Sequence, residues 1–226
     1  KHNNVWLVDR NKHQVFKFTK DGELLLTIGE EGFRSDTGVA FDDYSSTTWS
    51  SVTHSGPPFN MPAGIAVNDA DEIFIADGYA NARVHKFTPE GEHIQSWGDP
   101  GSGDGQFNLP HGVSVDSSGN VYVSDSGNHQ IRKIDSDGHV SSFAGSGVSE
   151  NVEGEDGTLG FEYPIGITQD YYGNLYVADH GNSDDSGEVK LIQVIPDQLR
   201  FTIEIEDEAG NFVFVDQTSD NSNIAI

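Results

Sequence analysis

Five aspartates each close a short alternating segment. Asp9 follows VWLV, Asp77 follows IFIA, Asp125 follows VYVS, Asp179 follows LYVA and Asp216 follows FVFV. Carboxylates repeated at one structural position can do either of two things. Facing a common opening, they form a ring that attracts cations. Turned inward, they accept backbone N–H bonds and fix their own turns. Further candidate groups lie beside these positions. Tyr79 stands two residues after Asp77, and His111 stands in Leu109-Pro110-His111-Gly112. Ser126 and His180 directly follow Asp125 and Asp179. His111, His180 and Asp179 have the donor types of a metal site, but no ligand-spacing rule supports the set. The structural alternative has Tyr79 packed over its loop and His111 bonded to a backbone carbonyl. The run Asn182-Ser183-Asp184-Asp185-Ser186-Gly187-Glu188 offers hard oxygen ligands without the ordered spacing of an EF-hand, and reads as a solvated acidic loop. His13, His85 and His129 lie in or beside third strands, where surface packing is expected. No G-x-S-x-G, P-loop or H-E-x-x-H motif occurs, so nucleophilic and phosphoryl-transfer enzymes have no support.

The elements that must position these residues repeat as well. DADEIFIAD, DSSGNVYVSD, DYYGNLYVAD and DEAGNFVFVD are each a tight polar turn followed by a strand ending in Asp. The segments GIAV, GVSV and GITQ precede these turns. After the Asp come a polar loop and a third strand, HQVFKF, NARVHKF, NHQIRKI or EVKLIQVI. A fourth strand follows in ELLLTIG, EHIQSWG and HVSSFAG. One unit is thus four short antiparallel strands in about 40 to 50 residues, the period of propeller blades. A β-sandwich with regular strand spacing is the alternative, disfavoured because the four-strand unit itself recurs.

The fold class predicted is all-β, a propeller of four-stranded antiparallel blades forming one domain over residues 1–226. Blades fall at about 1–29 (partial), 58–98, 107–145, 161–197 and 198–226 (partial). Four blades and part of a fifth imply a six-bladed ring when complete, or a partner over the open edges. Residues 30–57 are an insertion rich in Ser, Thr, Gly and Asp. It joins an outer strand to the next inner strand, which places it over the channel mouth near Tyr79. At the start of the inner strand and the end of the second strand, Asp77, Tyr79, His111, Asp125, Ser126 and Asp179 share that mouth.

Composition narrows the function classes. In 226 residues, 12 Lys and Arg face 37 Asp and Glu, a formal charge of -25. Such a surface repels phosphate backbones and anionic membranes, which argues against nucleic-acid partners. No apolar run approaches the ~20 residues of a membrane-spanning helix, so membrane insertion is not expected. The chain has no cysteine, which excludes disulfides, thiol catalysis and thiolate zinc sites.

The phrases FNLPHGVSVDSSGNVYVSDSGNHQIRKID and FEYPIGITQDYYGNLYVADHGN resemble NHL repeats, which build β-propellers. Over roughly residues 5–134, VWLVDRNKHQVFKF, DGYANARVHKF and GQFNLPHG resemble the peptidyl-α-hydroxyglycine α-amidating lyase branch. That resemblance implies zinc held by three histidines, a structural calcium, and catalytic tyrosine and arginine groups. The activity implied is cleavage of a C-terminal hydroxyglycine to a peptide amide and glyoxylate. His111 falls on one zinc position and Tyr79 on the tyrosine position. The segment matching another zinc position reads Arg200-Phe201-Thr202, and Ser126 stands where the branch has arginine.

The first functional expectation is a non-catalytic binding or scaffold propeller, extracellular or on a cell surface. It would take a peptide or protein ligand, or neighbouring subunits, at one channel mouth. The second is an active zinc lyase. A third, RNA recognition, needs a basic face that this chain lacks.

Overall fold

The computed structural model describes residues 4–40, 48–150, 159–181 and 187–192, together with two strands at 202–206 and 212–216. Among the described residues, eighteen strands and two single turns of 3-10 helix make up the regular structure. The first sheet is β1 (Val5–Asp9), β2 (Gln14–Phe18) and β3 (Leu24–Ile28). The second is β4 (Gly64–Val67), β5 (Ile73–Asp77), β6 (Arg83–Phe87) and β7 (His93–Trp97). A two-residue parallel pair, β8 (Asp99–Pro100) with β9 (Gln106–Phe107), leads to the third sheet. That sheet is β10 (Pro110–Val115), β11 (Val121–Asp125), β12 (Gln130–Ile134) and β13 (Val140–Ala144). The fourth is β14 (Pro164–Gln169), β15 (Leu175–Asp179) and β16 (Glu188–Ile192), followed by the pair β17 (Thr202–Glu206) and β18 (Phe212–Asp216). Within each blade every strand pairs antiparallel with the next in sequence. The strands β4, β10 and β14 lie side by side, and β1 lies against β4. These are GIAV, GVSV and GITQ, the inner strands of consecutive blades.

The turns form for local reasons. Asp116 accepts the N–H groups of Ser118 and Asn120 at 2.9 and 2.8 Å, and Gly119 takes the positive φ that closes the turn. Asp170 does the same with Tyr172 and Asn174, and Asn68 with Ala70 and Glu72. Side-chain oxygens at this spacing mimic a backbone turn, which is why D-x-x-G-N launches the second strands of the third and fourth blades and Asn68-Asp69-Ala70-Asp71-Glu72 that of the second.

The core lies between the blades. Ile73 and Ile75 of β5 face the first blade, with Val15, Ile28 and Phe59. Phe74 and Ala76 of the same strand face the third blade, with Phe107, Val113 and Val123. Tyr122 and Ile131 then pack on Leu159, Phe161, Leu175 and Val177. A strand alternates its side chains between two faces. Here both faces are covered, so β5 and β11 are buried at every residue. Phe59, Phe107 and Phe161 plug these interfaces, each against the glycine that ends the preceding blade: Gly29, Gly98 and Gly145.

The insertion lies on the Tyr79 side. Thr37 donates to the Ala80 carbonyl at 2.7 Å, and Asn60 ties Ser35 and Thr37 to the second blade. Residues 41–47 of the insertion lie outside the described residues, as do Asn182–Ser186, Arg200 and Phe201. For Asp216 and Thr202 only the backbone is described.

Candidate functional site

His111 belongs to β10, whose register slips between Pro110 and Val113. A bulge re-aims the side chains it carries, and His111 sits inside this one. The equivalent positions in the neighbouring blades are Ala63 and Ile165, each also between Pro and Gly. The His111 ring lies edge-on to Tyr79, with centroids 5.3 Å apart. Its Nε2 lies 2.9 Å from the Tyr79 hydroxyl, and its Nδ1 lies 3.0 Å from the carbonyl oxygen of Ile165. A carbonyl can only accept, so Nδ1 carries the proton and donates. Burial pulls the His111 pKa below its usual value, opposed by the Ile165 bond and reinforced by Arg10. The ring is therefore neutral near pH 7, its Nε2 is an acceptor, and Tyr79 donates to it. The structural alternative expected for His111, a bond to a backbone carbonyl, is present, and the ring also bonds Tyr79.

Arg10 completes the cluster. Its guanidinium lies over the Tyr79 ring, 4.6 Å from the centroid. Such stacking is a favourable cation–π contact. Arg10 was missed as a site residue in the sequence, although it directly follows Asp9 just as Ser126 follows Asp125. That shared position was the available signal. Tyr163, just before β14, is half-buried, and burial together with the nearby Tyr79 raises its pKa.

Asp77, Asp125 and Asp179 occupy the same end of the blades but face inward, whereas Asp9 is half-buried and accepts the Asn11 and Lys12 N–H groups of its own turn. Asp77 and Asp125 are 0% exposed, and Asp179 is also buried. Asp77 accepts the Asn60 N–H at 2.9 Å, the Asn81 amide and His85 Nε2. Asp125 accepts Asn108 N–H and the Asn128 amide, both at 2.7 Å. Asp179 accepts Glu162 and Tyr163 N–H groups, and Lys190 at 3.0 Å. Each carboxylate thus latches the loop that feeds the inner strand of its own blade. A basic third-strand residue sits beneath each: His85, Arg132 or Lys190, all buried. Asp77 and Asp125 therefore contribute no exposed carboxylate to a mouth-facing ring. Burial pushes the Asp125 carboxyl up from 3.8 to about 7, opposed by its two hydrogen bonds and by Arg132.

Ser126 is likewise buried, and its hydroxyl donates to the Pro164 carbonyl of the next blade. Gly78, at the equivalent position, packs against Pro110. His180 is exposed and turns back to the Gly181 carbonyl at 3.0 Å. The structure does not gather His111, His180 and Asp179: among the described residues, no three His, Asp or Glu side chains are placed to hold a metal. Among the described residues the donor set does not fit zinc, since one imidazole with both nitrogens engaged leaves the remaining ligands unsupplied.

The other histidines depart from surface packing. His85 is fully buried between Asp77 and Ser96, because Phe59, in the loop leading into its own blade's inner strand, covers the third strand. His13 is buried and accepts the Met61 N–H at 2.9 Å. His129 donates across the blade interface to the Glu162 carbonyl at 2.6 Å.

A model of the NHL repeat matches residues 59–87 and 107–134, the second and third blades. Peptidyl-alpha-hydroxyglycine alpha-amidating lyase 1 of Drosophila melanogaster is 40% identical over 98 residues, which is 42% of this chain and 15% of that protein. The peptidylglycine alpha-amidating monooxygenase of Rattus norvegicus is 32% identical over 104 residues, 44% of this chain and 9% of that one. The chain thus corresponds to a small part of these relatives. Among solved structures, a Bacteroides thetaiotaomicron protein of unknown function aligns with a TM-score of 0.55 at 24% identity, over 78% of this chain and 42% of that one. Virginiamycin B lyase from Staphylococcus aureus aligns with a TM-score of 0.50 at 14% identity, over 96% and 67%. Likeness at these identities concerns the fold alone. No described helix is long and apolar enough to cross a membrane. The chain is an all-β propeller carrying NHL repeats, similar over part of its length to the peptidyl-α-hydroxyglycine α-amidating lyases.

Proposed function

We infer that this chain is a binding propeller, working outside the cytoplasm, that takes a peptide or protein ligand at the Arg10–Tyr79–His111 cluster without cleaving it. The observation that carries this reading is the mutual engagement of Tyr79 and His111. Their hydrogen bond is already made, and His111 is a lone matching imidazole among buried, latched carboxylates. What the cluster offers a ligand is a fixed guanidinium, a phenol and a neutral imidazole. Those groups suit a chain carrying a carboxylate or carbonyl at the contact. The acidic composition of the chain is in keeping with an extracellular or cell-surface setting.

A zinc lyase is the second reading, favoured by one specific observation. The Ile165 carbonyl fixes the tautomer that turns the His111 Nε2 lone pair outward, which is how ligating histidines are commonly held, and here that lone pair accepts from Tyr79. Under that reading His111 would give up its Tyr79 bond and supply one zinc ligand. Glyoxylate release from a peptidyl-α-hydroxyglycine, with and without added zinc, separates the two readings. The expected result is no release and less than stoichiometric zinc. Zinc-dependent release that His111→Ala abolishes would establish the lyase and overturn the binding reading.

A further inference from the structure

The turn between β14 and β15 carries two tyrosines that its architecture does not use. In the third blade the same turn is DSSGN, and in the fourth it is DYYGN. Both are closed identically. Asp116 and Asp170 each accept two backbone N–H groups, one Asn amide and one Tyr hydroxyl from the following strand. Gly119 and Gly173 have φ of 86° and 92°. Serines suffice at the two middle positions of one turn. In the other, Tyr171 is 97% exposed and Tyr172 is 79% exposed. The two rings meet edge to face at 5.6 Å and 82°, which holds them as an aromatic corner. This turn lies at the opposite end of β14 and β15 from Pro164 and Asp179, away from the Arg10–Tyr79–His111 cluster.

We propose that Tyr171 and Tyr172 form a docking platform for an arginine-bearing segment of a basic protein. Exposed tyrosines offer large, stiff contact area and are favoured anchors in interfaces. Their ring faces attract guanidinium groups. Charge complementarity selects this occupant. The chain carries a net charge of -25, and the turn itself presents Asp170. A second copy, or an acidic partner, would meet that charge as repulsion.

The test is binding of a nona-arginine peptide to the full chain and to the Tyr171→Ser/Tyr172→Ser double variant, followed by fluorescence anisotropy at near-physiological salt. The substitution restores the third blade's own turn and changes no charge. General attraction of an acidic chain for a cation is thus the same in both. Loss of two exposed cation–π contacts should weaken binding about tenfold. The Tyr171→Phe/Tyr172→Phe variant keeps both rings and should bind as the unaltered chain does. Equal affinity of all three proteins would overturn the proposal. So would retention of nona-arginine binding by the serine variant alongside loss of binding to a neutral oligosaccharide such as maltoheptaose, which would make the corner a glycan platform. Neither outcome depends on the fate of the lyase assay, since the two sites lie at opposite ends of the blade.

Discussion

Gly64, Gly112 and Gly166 occupy one motif position in three consecutive inner strands, yet they should respond very differently to alanine. A Cβ at Gly112 would lie 2.5 Å from the Ile165 carbonyl oxygen, 3.0 Å from the Ile167 nitrogen and 3.2 Å from the Gly166 Cα. All three are backbone atoms of the next blade, so no side chain can swing aside. An ordinary contact begins near 3.4 Å, so β10 and β14 must part by about 0.9 Å. That opening spreads into the interface where Tyr122 and Phe161 pack against Val177. Overpacking of this kind costs about 1–3 kcal/mol, and rigid neighbours put Gly112→Ala at the upper end. For a chain of this size that is roughly a 6–12 °C loss in Tm. At Gly166 the nearest atom to an added Cβ is Ala178 Cβ at 3.4 Å, an ordinary contact. Gly166→Ala should therefore fall within about 1 kcal/mol of the parent, helped by the lower entropy of the unfolded chain. None of these glycines has a φ in the left-handed region, so backbone strain does not confuse the comparison. Urea midpoints and thermal melts of the two variants, side by side, measure the difference. Equal destabilisation, or a larger loss for Gly166→Ala, would refute close inter-blade approach as the reason for glycine here.

Two further outcomes follow from the ionisable groups. Asp125 has a folded pKa of about 7 against 3.8 for an ordinary aspartate, so the folded state binds the proton more tightly than the unfolded state. Its contribution is fully present below about pH 4 and is lost as pH rises through about 7, a swing on the order of 4 kcal/mol. Urea midpoints at pH 5 and pH 8 should therefore fall further apart in the parent than in Asp125→Asn; an unchanged gap would count against the buried carboxyl as the cause. Arg10→Ala should raise the His111 pKa, because Arg10 is among the groups holding it down. Proton NMR titration of the imidazole reads this directly, and a fall would contradict the placement of Arg10 beside the site.

The blade repeat was legible because turn chemistry is local: Asp, Gly and Asn at fixed offsets write the same turn wherever they occur. The inner strands were legible through Pro and Gly flanking a short apolar run. His111 and Tyr79 stood out because they fall on the zinc and tyrosine positions of the lyase branch that the chain resembles. The inward turn of the aspartates was legible only as one of two alternatives. Burial of a carboxylate depends on what the loop before the inner strand brings to it, and those partners lie 16 or 17 residues away, as Tyr163, Asn60 and Asn108 do. His85 and His13 read as surface residues because the third strand of a propeller blade is remote from the channel. In the folded chain the loop leading into the second blade covers both, with the Met61 N–H on His13 and the Phe59 ring on His85, which sequence periodicity cannot express. Arg10 escaped notice because its partner, Tyr79, is a whole blade away.

The aspartate latch has a further consequence for how such a chain can change over time. Each latch closes within its own blade: the carboxylate at the end of the second strand grips the loop leading into the first strand of the same sheet. A blade so fastened carries its own fastening when its coding segment is duplicated. The residues immediately after the aspartate then become free to diversify, and here they read Arg10, Gly78, Ser126 and His180 in turn. One copy can acquire a ligand-contacting side chain while its neighbour becomes a plain joint, with no renegotiation of the frame. A ring assembled this way inherits its shape and its chemistry separately.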